Sequence, residues 1–141
     1  MPARDPEAHV VVAESGNGPY GQIITAGHHV QGADEPETLG GRDTGLSPYQ
    51  YLLAALGSCT AMTIRMYAER HAFKLEHVSV ALTHDRLPAG DGTGPRDRFV
   101  RRIALTGALD ETQRQRLLEI AGRCPVSQTL TRGAEVTAEL A

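Results

Sequence analysis

Two cysteines, Cys59 and Cys124, carry all the thiol chemistry of this 141-residue chain. A standing disulfide is disfavoured in a reducing compartment, which leaves open a transient catalytic or redox-sensing pair. The two lie too far apart for a local C-x-x-C motif, so everything turns on whether the fold brings them together. Cys59 has the small neighbours Gly57, Ser58, Thr60 and Ala61, leaving space above its sulfur for a substrate or for another helix. It reads equally well as a buried small hydrophobe. Cys124 precedes Pro125, as expected of the N-cap of a short final helix. A sulfur there faces unpaired backbone N–H groups and the positive end of the helix dipole, which favours thiolate, and Arg123 adds to the effect. The alternative is an unreactive turn cysteine. Arg42, in the loop Gly40-Gly41-Arg42-Asp43-Thr44-Gly45, is a cation just upstream of Cys59, poised to swing toward the sulfur or simply solvated.

Other chemistries find little support. His28 and His29 are adjacent, so their side chains diverge on a strand, and His9, His71, His77 and His84 are scattered. That spacing does not support a zinc site drawn from Cys59, Cys124 and a histidine. Neither a G-x-S-x-G elbow, a P-loop nor a dinucleotide fingerprint is present, and no cofactor is expected. A net charge of −3 and an aromatic share of 4% without Trp give neither the electrostatic footprint nor the stacking platform of a nucleic-acid binder. The 40% hydrophobic and 22% charged residues argue against global disorder. No apolar run approaches the roughly 18 to 20 residues needed to cross a bilayer, and the N-terminus opens no signal-peptide core. A soluble cytoplasmic protein is the expectation.

The elements that must position the cysteines follow from local pattern. Residues 1–8, with Pro2 and Pro6 among charges, read as a flexible tail before a single domain at 9–141. His9 to Ala13, the turn Ser15-Gly16-Asn17-Gly18 and a return strand within Tyr20 to Val30 form a hairpin. Residues 32–47 are a long loop of the kind that is often functional. Ser47-Pro48 opens a helix to about His71, apolar nearly all round in its front half and so buried on more than one side, in a core or an interface. Residues 76–87 alternate as a half-buried strand, 87–97 is a turn-rich hairpin loop, and Phe99 to Thr106 is the partner strand, with Phe99, Ile103 and Leu105 on one face. Asp110 and Gln113 start a capped helix to about Ala121, with Gly122 as its stop. A final strand is expected around Glu135 to Leu140. This is an α+β arrangement.

The segment D-E-P-E-T-L-G-G-R-D-T-G-L-S-P-Y-Q-Y-L-L-A-A-L-G-S-C-T-A-M-T-I-R-M-Y-A-E-R, residues 34–70, resembles the signature of the OsmC/Ohr superfamily. It is most similar to the OsmC-like branch that occurs alone or fused to α/β-hydrolases. R-C-P-V-S-Q-T-L at 123–130 stands where that family carries its second cysteine, and the resemblance runs from about residue 20 to the C-terminus. It implies an intertwined α+β homodimer, with strands wrapped around a long central helix per subunit and active sites at the subunit interface. It also implies a thiol peroxidase of oxidative-stress defence. Cys59 would attack the O–O bond of an organic hydroperoxide and become a sulfenic acid; Cys124 would condense with it to a disulfide, and an external dithiol of dihydrolipoyl type would reduce that. No metal or flavin is needed.

The chain departs from the family pattern at several points. Peroxidatic members carry a glutamate ten residues before the cysteine to orient an activating arginine; Tyr49 stands there, followed by Gln50. Ser127 replaces a histidine common in the second motif. The turn at 15–18 has no arginine, which leaves Arg42 as the candidate activator by loop position. The alternative reading is a weakly catalytic or non-catalytic module holding a hydrophobic ligand at the dimer interface.

Overall fold

The computed structural model describes residues 9–88 and 94–141, so the tail at 1–8 and part of the 87–97 loop lie outside the described residues. The chain forms two compact units, one running to Leu52 and the other from Leu53.

The first unit is built on a three-stranded antiparallel meander, β1 (Val11–Glu14), β2 (Gln22–Ala26) and β3 (His29–Ala33). The expected single return strand is therefore two strands. Ala26 pairs with His29 across the two-residue turn Gly27-His28, where Gly27 takes φ 60°, a left-handed value that a side chain resists. The turn also corrects the histidine expectation: His28 and His29 do not diverge, and their rings lie 4.2 Å apart.

The loop that follows is held by one buried carboxylate. Asp34 accepts from the backbone N–H of Glu35 (2.8 Å), Arg42 (3.2 Å) and Thr44 (3.2 Å), and from the Thr44 hydroxyl (2.8 Å). The Thr44 hydroxyl leads in holding Asp34 below its ordinary pKa, with the three N–H groups adding to it against the opposing effect of burial. A 3-10 turn (Glu37–Leu39) sits inside this loop.

Helix α1 (Pro48–Arg70) begins in a reciprocal cap: the Ser47 N–H donates to Gln50 Oε1 (2.9 Å) and the Gln50 N–H to Ser47 Oγ (3.3 Å). Gln50 thus anchors the helix start.

In the second unit β4 (Lys74–Leu87) and β5 (Arg96–Ala108) form a long antiparallel ribbon. It bulges at Glu76, where Arg65 donates to the carbonyls of Leu75 (2.7 Å) and Glu76 (3.2 Å). Helix α2 (Glu111–Ala121) carries the expected capping box between Asp110 and Gln113. Helix α3 (Pro125–Arg132) follows at once.

The core is Ile64, Ala68, Leu75, Leu117 and Ala121, with Phe73, Val78, Ile103 and Leu105 packed against it. Of α1, the buried residues are Leu56, Gly57, Thr60, Thr63, Ile64 and Ala68, a single stripe at helical spacing. The strand expected at 135–140 does not form: Gly133 ends α3, and Val136 and Leu140 are almost fully exposed. Alternation alone makes no strand without an edge to pair with, and none pairs with this segment among the described residues. Among the described residues no helix is long and apolar enough to cross a membrane.

Candidate active site

The second unit brings the two cysteines together. Cys59 lies half-buried in the middle of α1, and Cys124 is fully buried at the N-cap of α3. Both are free thiols. Two local features lie beside them. Gly57, one turn before the middle of the buried stripe, lets β4 close on α1: a Cβ there would stand 2.6 Å from Leu82 Cδ1. Pro125 takes the first position of α3, where its fixed φ suits the helix and its missing N–H leaves no donor unpaired.

The first turn of α3 serves both sulfurs. The Ser127 N–H points at Cys124 Sγ (3.5 Å), so the thiol sulfur takes the cap position that an oxygen usually fills. The Val126 N–H lies near the sulfur of Cys59 and favours its thiolate. Thr63, one turn further along α1, acts in the same direction through its hydroxyl. That hydroxyl is buried and makes no hydrogen bond among the described residues. Against these stand burial, the largest effect, and then the neighbouring Cys124 thiol; together they push the Cys59 thiol above its ordinary value.

Arg101 on β5 is the site residue that the motif reading passed over. Its Nη1 donates to Thr60 Oγ1 (3.0 Å) and to the Ala121 carbonyl (2.9 Å), and its Nη2 to Ser127 Oγ (3.3 Å). A signal was present in the sequence: Arg101 falls in the same alternation as Phe99, Ile103 and Leu105, which puts a cation on the inward face of a strand. Arg42 belongs to the first unit. Its Nη1 donates to Asn17 Oδ1 (3.4 Å), and its side chain lies across Gly18, where a Cβ would meet Cδ at 2.9 Å. Among the described residues no cluster of three or more His, Cys, Asp or Glu could hold a metal ion.

An α+β unit with a cysteine on a long helix and a second at the start of a later short one defines a class. Residues 41–139 match the model of the family described as OsmC-like protein, and the chain belongs to that family. It is similar in fold to an organic hydroperoxide resistance protein, OsmC, from Legionella pneumophila, with 23% identity, 86% of this chain and 87% of that chain covered, and a TM-score of 0.65. An OsmC-like protein from Mycoplasma pneumoniae is similar at 18% identity, covering 91% and 89%, with a TM-score of 0.74. The organic hydroperoxide resistance protein OhrB of Bacillus subtilis is similar at 21% identity, covering 89% and 90%, with a TM-score of 0.62. No curated protein sequence matches the chain.

Proposed function

We propose that the protein is a thiol peroxidase that reduces organic hydroperoxides through a two-cysteine cycle. The observation that carries this reading is the meeting of Cys59 and Cys124 at the start of α3, with one sulfur partly open and the other sealed. The difference in exposure supports the division of roles, because a peroxide reaches Cys59 first. The Cys59 thiolate attacks one oxygen of the O–O bond; the alkoxide leaves and is protonated to the alcohol, and Cys59 becomes a sulfenic acid. The Cys124 thiol then attacks that sulfur, the S–O bond breaks, water leaves and a disulfide forms. An external dithiol restores both thiols by exchange through a mixed disulfide and is itself oxidised. Arg42 is retained as the candidate activator of Cys59. Free thiols and this chemistry fit the cytoplasm.

The organic hydroperoxide resistance proteins of similar fold support the substrate class. The homodimer belongs to the same proposal. Alone, α1 buries one stripe, and Met62 on it stays 64% exposed, as expected of a helix with a second partner. Sedimentation of a folded 15.1 kDa monomer at micromolar concentration would remove that part of the proposal.

Mass spectrometry after one equivalent of cumene or tert-butyl hydroperoxide tests the cycle, and an intramolecular Cys59–Cys124 disulfide is expected. The raised Cys59 thiol favours a second reading, a weakly catalytic module binding a hydrophobic ligand. Two thiols left unchanged by the peroxide would establish that reading over the first.

A further inference from the structure

We infer that Arg101 is a positioning residue that holds the Cys59 and Cys124 sulfurs at the separation from which a disulfide forms. The inference rests on the two-cysteine reading, but its geometry concerns only how the pair is held. Each acceptor of the guanidinium is a neighbour of one sulfur. Thr60 follows Cys59 directly, and its hydroxyl is fixed in turn by donating to the Leu56 carbonyl (2.7 Å) one turn back on α1. The Ala121 carbonyl, the last of α2, accepts from Arg101 and also from the Cys124 N–H (3.3 Å). Ser127 accepts from Arg101 at its hydroxyl while its N–H points at Cys124 Sγ. One planar cation on a strand thereby ties the helix that carries Cys59 to the segments before and after Cys124.

The physical case is one of rigidity. Helices α2 and α3 meet at a short joint, Gly122-Arg123-Cys124, and a joint of that length can hinge unless something fixes both sides. Among the described contacts, the two Arg101 nitrogens span it, reaching the end of α2 and the first turn of α3. The guanidinium fork supplies several donors in a fixed plane, which a lysine ammonium does not. Two groups held in register react and equilibrate as though at high local concentration, and loosening either one lowers that concentration.

The test is the equilibrium of the Cys59–Cys124 pair in a glutathione redox buffer, read by acid quench, alkylation and mass spectrometry on the purified full chain. Arg101→Ala is expected to lower the equilibrium constant for disulfide formation at least tenfold, which for this two-electron couple is a rise of about 30 mV in reduction potential. Arg101→Lys is expected to fall between the two. A general loss of stability would move the melting temperature and leave this equilibrium in the folded protein where it was. If Arg101→Ala does not fold, Thr60→Val and Ser127→Ala each remove one acceptor and are expected to lower the constant two- to fivefold. An equilibrium within twofold of wild type in Arg101→Ala, or in both acceptor variants, overturns the inference. A parallel peroxide arm separates the two claims. If wild type ignores peroxide yet the redox-buffer equilibrium responds to Arg101, the peroxidase reading fails and the positioning role stands.

Discussion

Replacing Thr63 by valine separates reactivity from stability, because the threonine hydroxyl serves only one of them. The hydroxyl is buried and makes no hydrogen bond in the resting protein, and its one favourable role is to turn to the Cys59 sulfur when that sulfur is charged. A hydrogen bond to a charged group contributes about 1.5–3 kcal/mol, and the half-buried setting of Cys59 puts this one near the lower end. Losing about 1–2 kcal/mol of thiolate stabilisation lowers the thiolate population roughly 5- to 30-fold. With the thiol already raised by burial, wild type holds less thiolate at neutral pH than the few per cent of an ordinary cysteine. The oxidation rate should therefore climb about tenfold per pH unit from neutrality until Cys59 ionises. In Thr63→Val the whole curve should move to higher pH, with the rate on its slope reduced by the same 5- to 30-fold factor. Folding stability should be unchanged or higher by about 1 kcal/mol, since the methyl removes a poorly satisfied polar atom from the interior. Single-turnover oxidation followed across the pH range, with chemical denaturation beside it, reads both quantities. Superimposable rate curves would refute the reasoning, and so would an equal loss at every pH, which would point to displaced geometry.

Other outcomes follow from the same geometry. Cys59→Ser should abolish peroxide consumption, because a serine hydroxyl holds almost no alkoxide at neutral pH; Cys124→Ser should give one turnover and then over-oxidised Cys59. Loss of the first turnover in Cys124→Ser alone would reverse the roles, and rapid kinetics with mass spectrometry reads this directly. Asp34→Asn should weaken the first unit and flatten its acid limb. The folded carboxyl lies below its ordinary value, so its contribution is full above that value and is lost as the pH falls through the folded one. Unfolding midpoints measured between about pH 5 and pH 2 should drop steeply in wild type and less in the variant, and parallel slopes would show that Asp34 is not what titrates.

What could be read from the sequence was local. The Asp110–Gln113 box and the Cys124-Pro125 start of α3 are fixed by neighbours three residues apart or closer, and the structure has both. The meander was harder, because Gly27-His28 is a weaker turn signal than Ser15-Gly16-Asn17-Gly18 and the β-branched Ile23-Ile24 and Val30 read as one continuous run. Contacts set by the tertiary fold were not legible. Arg101 meets Thr60 from 41 positions away, and no spacing rule links them. Thr63 looks like any helix threonine until the packing leaves its hydroxyl buried without a hydrogen-bond partner. The 135–140 segment shows the opposite failure, with a strand pattern but no pairing edge.

The cap of α3 places two demands on one atom. Oxygen is the better terminator of a helix: serine is among the favoured residues at this position, and an oxygen accepts from an amide at about 2.9–3.0 Å, whereas the Cys124 sulfur stands 3.5 Å from the Ser127 nitrogen. The chain forgoes stability at this helix end to keep a group that can form and break a bond to another sulfur. Cys124→Ser is therefore not a silent control. It removes the chemistry and tightens the helix together, so a Cys124→Ser protein that melts higher while failing to resolve Cys59 would display the trade between stability and activity at a single position.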